Sequence, residues 1–199
     1  MGPDTRKVLE IGFGNGAVLA FGRARGWAMT ATELQPELVT TAIGLGFDAR
    51  DSTAVQDLHD ASFDGIVALD VFEHIPPETS IAFLTGLGRK LRVGGHIVLR
   101  FPNADSWLGN AFQNGDPTHV NAIGLAKMTY YARAAGLRID SFRAATRRGF
   151  ATSAVHGLHS LTAGNYIKLS AAVSRALHFP ALPVVLSTSD VVCSLTRDP

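Results

Sequence analysis

Val8-Leu9-Glu10-Ile11-Gly12-Phe13-Gly14-Asn15-Gly16 is the stretch that decides the fold. Its opening residues form a short apolar run that reads as a β-strand, and the glycines after it read as a tight loop. Gly16 to Arg25 has the pattern of a helix, closed by Gly26 where a left-handed C-terminal residue is usual. Trp27 to Thr32 is a second strand, and Glu33 stands at its end. A strand, a glycine loop, a helix, a second strand and an acid about 20 residues beyond the first glycine make a nucleotide-cofactor unit. The glycines let the backbone turn sharply and lie close to a ligand, and the carboxylate accepts both hydrogen bonds of a ribose diol.

Outward from this unit, apolar runs and helical patterns alternate to about residue 145, the signature of a parallel α/β sheet. Pro36 opens a helix that reaches about Leu45, and Phe47 to Arg50 is a brief third strand. Phe63 to Leu69 is nearly all apolar, as expected for a strand covered on both faces. Pro76-Pro77 start a helix with Ile81, Leu84, Leu87 and Leu91 on one face. Arg89, Lys90 and Arg92 suit the dipole at its end, and Gly94-Gly95 stop it. His96 to Phe101 is strand five, and residues 102–121 read as a long polar loop of the kind that is often functional. A helix from about Ala122 carries Leu125, Met128, Ala132 and Ala135 on one stripe, and Leu137 to Ala144 is strand six. Beyond it the pattern predicts an amphipathic helix near Tyr166–Leu177, a proline-broken apolar stretch and a final strand at Asp190–Leu195. One domain over residues 1–199 is expected, with a core at 6–145 and a segment 146–199 that completes and covers the sheet.

With 46% hydrophobic and 18% charged residues over 199 positions, the chain has a globular composition and enough length for a core of its own. A net charge of +1 argues against the sustained basic field that nucleic-acid binding needs. The lone Cys193 forms neither an internal disulfide nor a thiolate zinc site, which points to a reducing, cytoplasmic setting. No signal-peptide-like run precedes the glycine unit. The longest apolar stretch, near Phe179–Leu186, is interrupted by prolines and falls short of the ~20 residues that a membrane span takes.

Gly12, Gly14 and Ala17 also satisfy the G-x-G-x-x-(G/A) pattern of dinucleotide folds, so the glycines alone leave NAD open. Glu10 stands just before the glycines, where dinucleotide folds are usually apolar; a pyrophosphate has no use for a carboxylate there, and an ammonium or sulfonium tolerates one. Two further features are the strand-four ending Leu69-Asp70-Val71-Phe72-Glu73-His74-Ile75 and the helix ending Leu91-Arg92-Val93-Gly94-Gly95. On these residues the sequence resembles the class I S-adenosylmethionine (SAM)-dependent methyltransferases, in particular the group around the ubiquinone-type enzymes, over roughly residues 6–145. The resemblance implies a Rossmann-like α/β sandwich whose mostly parallel seven-stranded sheet runs 3-2-1-4-5-7-6, with the last strand antiparallel. It implies that Glu10, Gly12, Gly14 and Gly16 surround the methionine moiety, with Phe13 and Val71 also at the cofactor. Glu33 would hold the ribose, Leu34 would pack on the adenine, Asp51 with Ser52 would meet its edge, and Asp70 would line the methionine side. Asp51 and Ser52 read equally well as a plain turn. Members of the group carry helices ahead of strand one, and about five residues precede it in this sequence. Covering the site then falls to loop 102–121 and the C-terminal segment, or the sequence lacks a portion.

Methyl transfer from a sulfonium is an in-line displacement, so the protein has to position the acceptor and take its proton if it is a hydroxyl. His119, with Asp116 beside it to orient it, is the candidate general base, and His74 is a second candidate. A loop histidine that stabilises its own turn is the plainer reading. Asp70, Glu73, His74 and His119 also resemble the metal-ligand pattern of small-RNA 2′-O-methyltransferases, and such ligands suit a divalent ion that lowers a hydroxyl's pKa. The same segment occurs as a structural element in metal-free relatives, and no metal is the expectation. Arg143, Arg147 and Arg148 form either a solvated edge or a clamp on an anionic acceptor. Trp107 and Phe112 either wall the substrate or pack their own loop. The expected function is transfer of a methyl group to a small-molecule acceptor, at an oxygen of a sugar, lipid or quinol-type precursor. A non-catalytic SAM-binding scaffold and an NAD-linked oxidoreductase are the alternatives. The amphipathic C-terminal segment covers the sheet edge, forms a homodimer or makes a peripheral membrane contact.

Overall fold

The computed structural model describes residues 5–145, 153–182 and 184–197. Seven strands form one sheet: β1 (Lys7–Ile11), β2 (Ala28–Glu33), β3 (Asp48–Asp51), β4 (Phe63–Leu69), β5 (Leu91–Pro102), β6 (Arg138–Ala144) and β7 (Asp190–Thr196). Their order is β3-β2-β1-β4-β5-β7-β6, the order that the resemblance implies. The sheet is mixed, because β7 runs antiparallel to both β5 and β6 and the other pairs are parallel.

Burial explains the strand composition. Val8, Leu9, Glu10 and Ile11 are all buried in succession, as happens only when both faces of a strand are covered. On one face Ala31 and Ala49 meet Leu19 of α1 (Ala17–Ala24) and Ala42 of α2 (Pro36–Gly44), with Phe13 of the glycine loop. On the other, Ile66, Ile97, Leu99 and Leu195 pack with Leu84 and Leu87 of α3 (Ser80–Lys90) and Met128 of α5 (Leu125–Ala134). Phe72, just past β4, sits fully buried with its ring about 6 Å from those of Phe83, Phe101 and Tyr131. Cys193 is buried in the same cluster, and its desolvated thiol is pushed up to about 12, beyond reactive use at neutral pH.

Four elements depart from the sequence reading. The expected loop 102–121 contains α4 (Trp107–Gly115), started by Ser106, whose hydroxyl accepts the Leu108 N–H at 3.2 Å. The helix after Pro76-Pro77 begins only at Ser80, and β5 begins at Leu91, with Arg92–Gly95 taking up a register slip opposite Phe63–Gly65. Lys90 is buried rather than spread over the helix end: its ammonium donates to the carbonyls of Gln56 and Leu58 and pairs with Asp60. Arg89 and Lys90 stand in the last turn of α3 as expected, and Arg197 adds a cation there, bonding the carbonyls of Gly88, Arg89 and Leu91. Between β6 and β7 stand two helices, α6 (Ala154–Leu161) and α7 (Ala163–His178), where a single one is expected from the sequence. No described helix is long and apolar enough to cross a membrane.

Candidate functional site

The parallel strands deliver their carboxyl ends to one edge, where open α/β sheets bind ligands. Gly12, Gly14 and Gly16 all have positive φ, between 49° and 73°. At Gly12 the need for glycine is double, since a Cβ there would also lie 2.7 Å from Cγ2 of Val71 at the end of β4. The loop is tied to β2: the Gly12 N–H donates to the Thr32 carbonyl at 2.8 Å, and the Gly14 N–H to Glu33 Oε2 at 2.9 Å. Glu33 Oε1 accepts from the N–H groups of Leu34 (2.8 Å) and Gln35 (3.3 Å), so the carboxylate is held in place before any ligand arrives. Leu34 beside it is 76% exposed, an apolar side chain left open at the same edge.

Glu10 is buried beneath this loop, with Oε2 lacking any partner among the described residues. Burial pushes its carboxyl up to about 7, opposed by the Leu19 backbone and reinforced by the charge of Glu33. The hydroxyl of buried Thr32 also has no partner among the described residues. An orphaned carboxylate next to an open glycine loop suits a ligand that carries positive charge, as the ammonium and sulfonium of SAM do. A pyrophosphate would add negative charge beside it. The residues present therefore fit SAM.

Asp51 caps a 3₁₀ turn at Ser52–Val55: its Oδ1 accepts from both the N–H and the hydroxyl of Thr53, which lowers its pKa. The turn reading of Asp51 and Ser52 is thus realised, and it leaves the turn at the ligand edge beside Glu33. Asp70 adopts a left-handed φ of 57° and forms a two-pronged ion pair with Arg100 of β5. Arg100 carries no motif of its own and lies on a strand recognised by its apolar run.

Glu73 follows on a short 3₁₀ turn, Phe72–His74. It is 1% exposed, and neither carboxylate oxygen has a hydrogen-bond partner on another described residue. Burial pushes it up to about 7, with its own backbone N–H and Arg100 opposing, and Asp70 and Asp190 adding to the rise. His119 Nε2 lies 4.0 Å from Glu73 Oε1 and 3.7 Å from Asp116 Oδ2. Its Nδ1 faces the Phe112 carbonyl at 3.0 Å; a carbonyl only accepts, so Nδ1 carries a proton, and in the neutral ring the lone pair is on Nε2. The orienting bond comes from Phe112, and Asp116 sits instead on the Nε2 side. His74 stacks edge-on to His119, and its Nδ1 contacts the carbonyl (3.2 Å) and hydroxyl (3.0 Å) of Thr118. One ligating atom each from Glu73, His74 and His119 fall within 4.8 Å of one another, so these three could hold a cation. Asp70, committed to Arg100, is not in that group.

Polar residues that carried no motif hold this half together. Fully buried Asn121 donates to the Ile75 carbonyl and Ser80 hydroxyl, its backbone N–H bonds the Glu73 carbonyl, and Gln113 bonds the His119 carbonyl. Trp107 and Phe112 are mostly exposed on α4. Arg143 is exposed at the end of β6, and Arg147 and Arg148 lie outside the described residues. An apolar groove of about 610 Å³ lies beside α5, lined by Leu125, Phe179, Leu182, Val184 and Leu186 and by none of the cofactor-loop or histidine residues. A second groove, of about 630 Å³, lies between the strand beginnings at Lys7, Ala28, Asp48 and Phe63, the opposite edge from this chemistry.

The match to known proteins follows the same geography. A methyltransferase-domain family model covers residues 2–142. A ubiquinone biosynthesis O-methyltransferase of Xanthomonas oryzae pv. oryzae is 32% identical over 101 residues, 47% of this chain and 41% of the relative. One of Xanthomonas axonopodis pv. citri is 27% identical over 158 residues, 69% of this chain and 65% of the relative. The match therefore spans less than two thirds of either relative. A SAM-dependent methyltransferase from Archaeoglobus fulgidus superposes with a TM-score of 0.73 at 19% identity, over 98% of this chain and 87% of that one. The Burkholderia thailandensis 1,6-didemethyltoxoflavin-N1-methyltransferase, solved with S-adenosylhomocysteine, gives 0.60 at 17% identity over 98% and 72%. The solved structures share the fold, and the family model runs from ahead of the glycine loop through most of the sixth strand: the chain belongs to the methyltransferase-domain family.

Proposed function

We propose that this chain transfers a methyl group from SAM to an oxygen of a small-molecule acceptor, of the sugar, lipid or quinol-precursor kind. The observation that carries the proposal is a single sheet edge. It bears a glycine loop with a buried, half-orphaned Glu10 and, past Val71, a histidine whose Nδ1 is bonded to a carbonyl, which turns Nε2 to the Glu73 side. SAM supplies a methyl group on a sulfonium that is already activated. Glu33 would hold the ribose hydroxyls, Glu10 would answer the positive charge, and the glycines leave room for close approach. His119 Nε2 would take the acceptor's proton, a role worth about 10²–10⁴ in rate.

A second reading rests on the convergence of Glu73, His74 and His119 with two unpartnered carboxylate oxygens. In it a divalent cation held by these three lowers the pKa of the acceptor hydroxyl, and chelation stops turnover. Calorimetry with SAM, S-adenosylhomocysteine and NAD tests the cofactor. Binding of NAD alone would put the chain among oxidoreductases, and SAM binding with no labelled-methyl transfer to quinol, lipid or sugar pools would make it a scaffold.

A further inference from the structure

We infer that the α6–α7 hairpin docks the protein on an anionic lipid surface. The stretch 141–189 contains no aspartate or glutamate, yet it carries Arg143, Arg147, Arg148, Lys168 and Arg175 with His156, His159 and His178. As the whole chain is only +1, the remainder is net acidic and the positive charge is concentrated in this insertion.

The hairpin also exposes apolar side chains. Tyr166, Leu169, Val173 and Leu177 recur on one stripe of α7 and are 50–72% exposed, and Val155 and Leu158 of α6 are open as well. Among the described residues the two helices pack chiefly against each other, with Gly157 and Gly164 buried, and the stripe itself stays open. Lys168 and Arg175 are exposed on the polar side of α7. An apolar stripe opposite a basic face is the pattern of a helix that lies in a membrane interface. At 16 residues, α7 is about 24 Å long, which suits lying on the surface and not spanning it.

Charge selects the occupant. A second copy of this insertion would bring like net charge to the first, since 141–189 offers no acid to neutralise its cations. Anionic headgroups supply that charge.

The base of the insertion is fixed. Asn103, fully buried at the end of β5, donates to the carbonyls of Val185 and Thr188, and the Ser106 hydroxyl donates to that of Leu186. β6 ends and β7 begins at the carboxyl edge, where Ala144 pairs with Val191 and Pro102 with Asp190. The hairpin therefore leaves the sheet on the edge that bears Glu33 and Glu73.

Vesicle co-sedimentation of the full chain reads the docking without reference to turnover. The expected result is binding to phosphatidylcholine vesicles containing phosphatidylglycerol, weak binding to phosphatidylcholine alone, and release at high salt. Lys168→Ala with Arg175→Ala should weaken the binding about 25-fold, at about fivefold per cation. Leu169→Glu with Val173→Glu should abolish it, with unchanged circular dichroism showing that the fold persists. Equal binding to both vesicle types, or to neither, overturns the inference. So does light scattering that finds a dimer which the Leu169→Glu, Val173→Glu variant dissolves.

Discussion

The ends of β2 and β4 each bury a glutamate and treat it in opposite ways. Glu33 accepts backbone N–H groups from Gly14, Leu34 and Gln35, whereas Glu73, also buried, accepts no hydrogen bond from any other described residue. The first arrangement is complete before a ligand binds and offers a rigid, charged edge. The second leaves a carboxyl pushed up to about 7 beside two histidines, a cost that folding tolerates where a site needs an unsatisfied group. The difference separates a holding half, built from backbone, from a reacting half, built from side chains brought together by packing.

The largest effect expected from breaking this division is at His119. His119→Ala should lower kcat by about 10²–10⁴ while calorimetry shows SAM binding unchanged. Loss of both in parallel would mean that the two halves are one. Glu33→Ala should weaken SAM about 10–100-fold by removing charge-assisted bonds of ~1.5–3 kcal/mol, and Glu73→Ala should leave SAM affinity within a few-fold. Gly12→Ala introduces a Cβ 2.7 Å from Val71 at a φ of 65°; a loss of about 1–3 kcal/mol in urea unfolding is expected, with SAM affinity falling too.

Glu10 supplies the smallest and most diagnostic effect. Its carboxyl is near 7 in the folded chain, against about 4.3 when unfolded, so the folded state binds the proton more tightly. The penalty for its charge is absent below about pH 4, grows between pH 4 and 7, and persists above. Glu10→Gln should therefore stabilise the ligand-free protein by about 1–2 kcal/mol at pH 8 and leave it unchanged at pH 4, measured by thermal melting. An equal gain at both pH values would point to packing, not charge.

Most of the first six strands are legible in the sequence because period and glycine placement act over a few residues. Helix α4 is not, since Asn110, Asn114 and three glycines or acids around them read as loop, and only Ser106 before Trp107-Leu108 marks its start. The early start of β5 is hidden by Gly94-Gly95, which read as a helix stop and instead lie within the irregular opening of the strand. At the site, Glu10, the glycines and Glu33 are readable because one supersecondary unit contains them. Arg100, Asn121, Gln113 and Thr118 are not, because each acts on a partner well removed in the chain or through a backbone atom.

The sequence alone determined the glycine loop, its acid, the sheet order by resemblance, and the residue types at the reacting end. Tertiary structure decided that Asp70 is tied to Arg100, and that the Phe112 carbonyl assigns the proton on His119. It also decided that an acid-free hairpin leaves the sheet at the ligand edge. The physical reason is range. Backbone conformation follows from neighbours a few residues away, whereas a hydrogen bond between distant segments exists only once the core has packed them together.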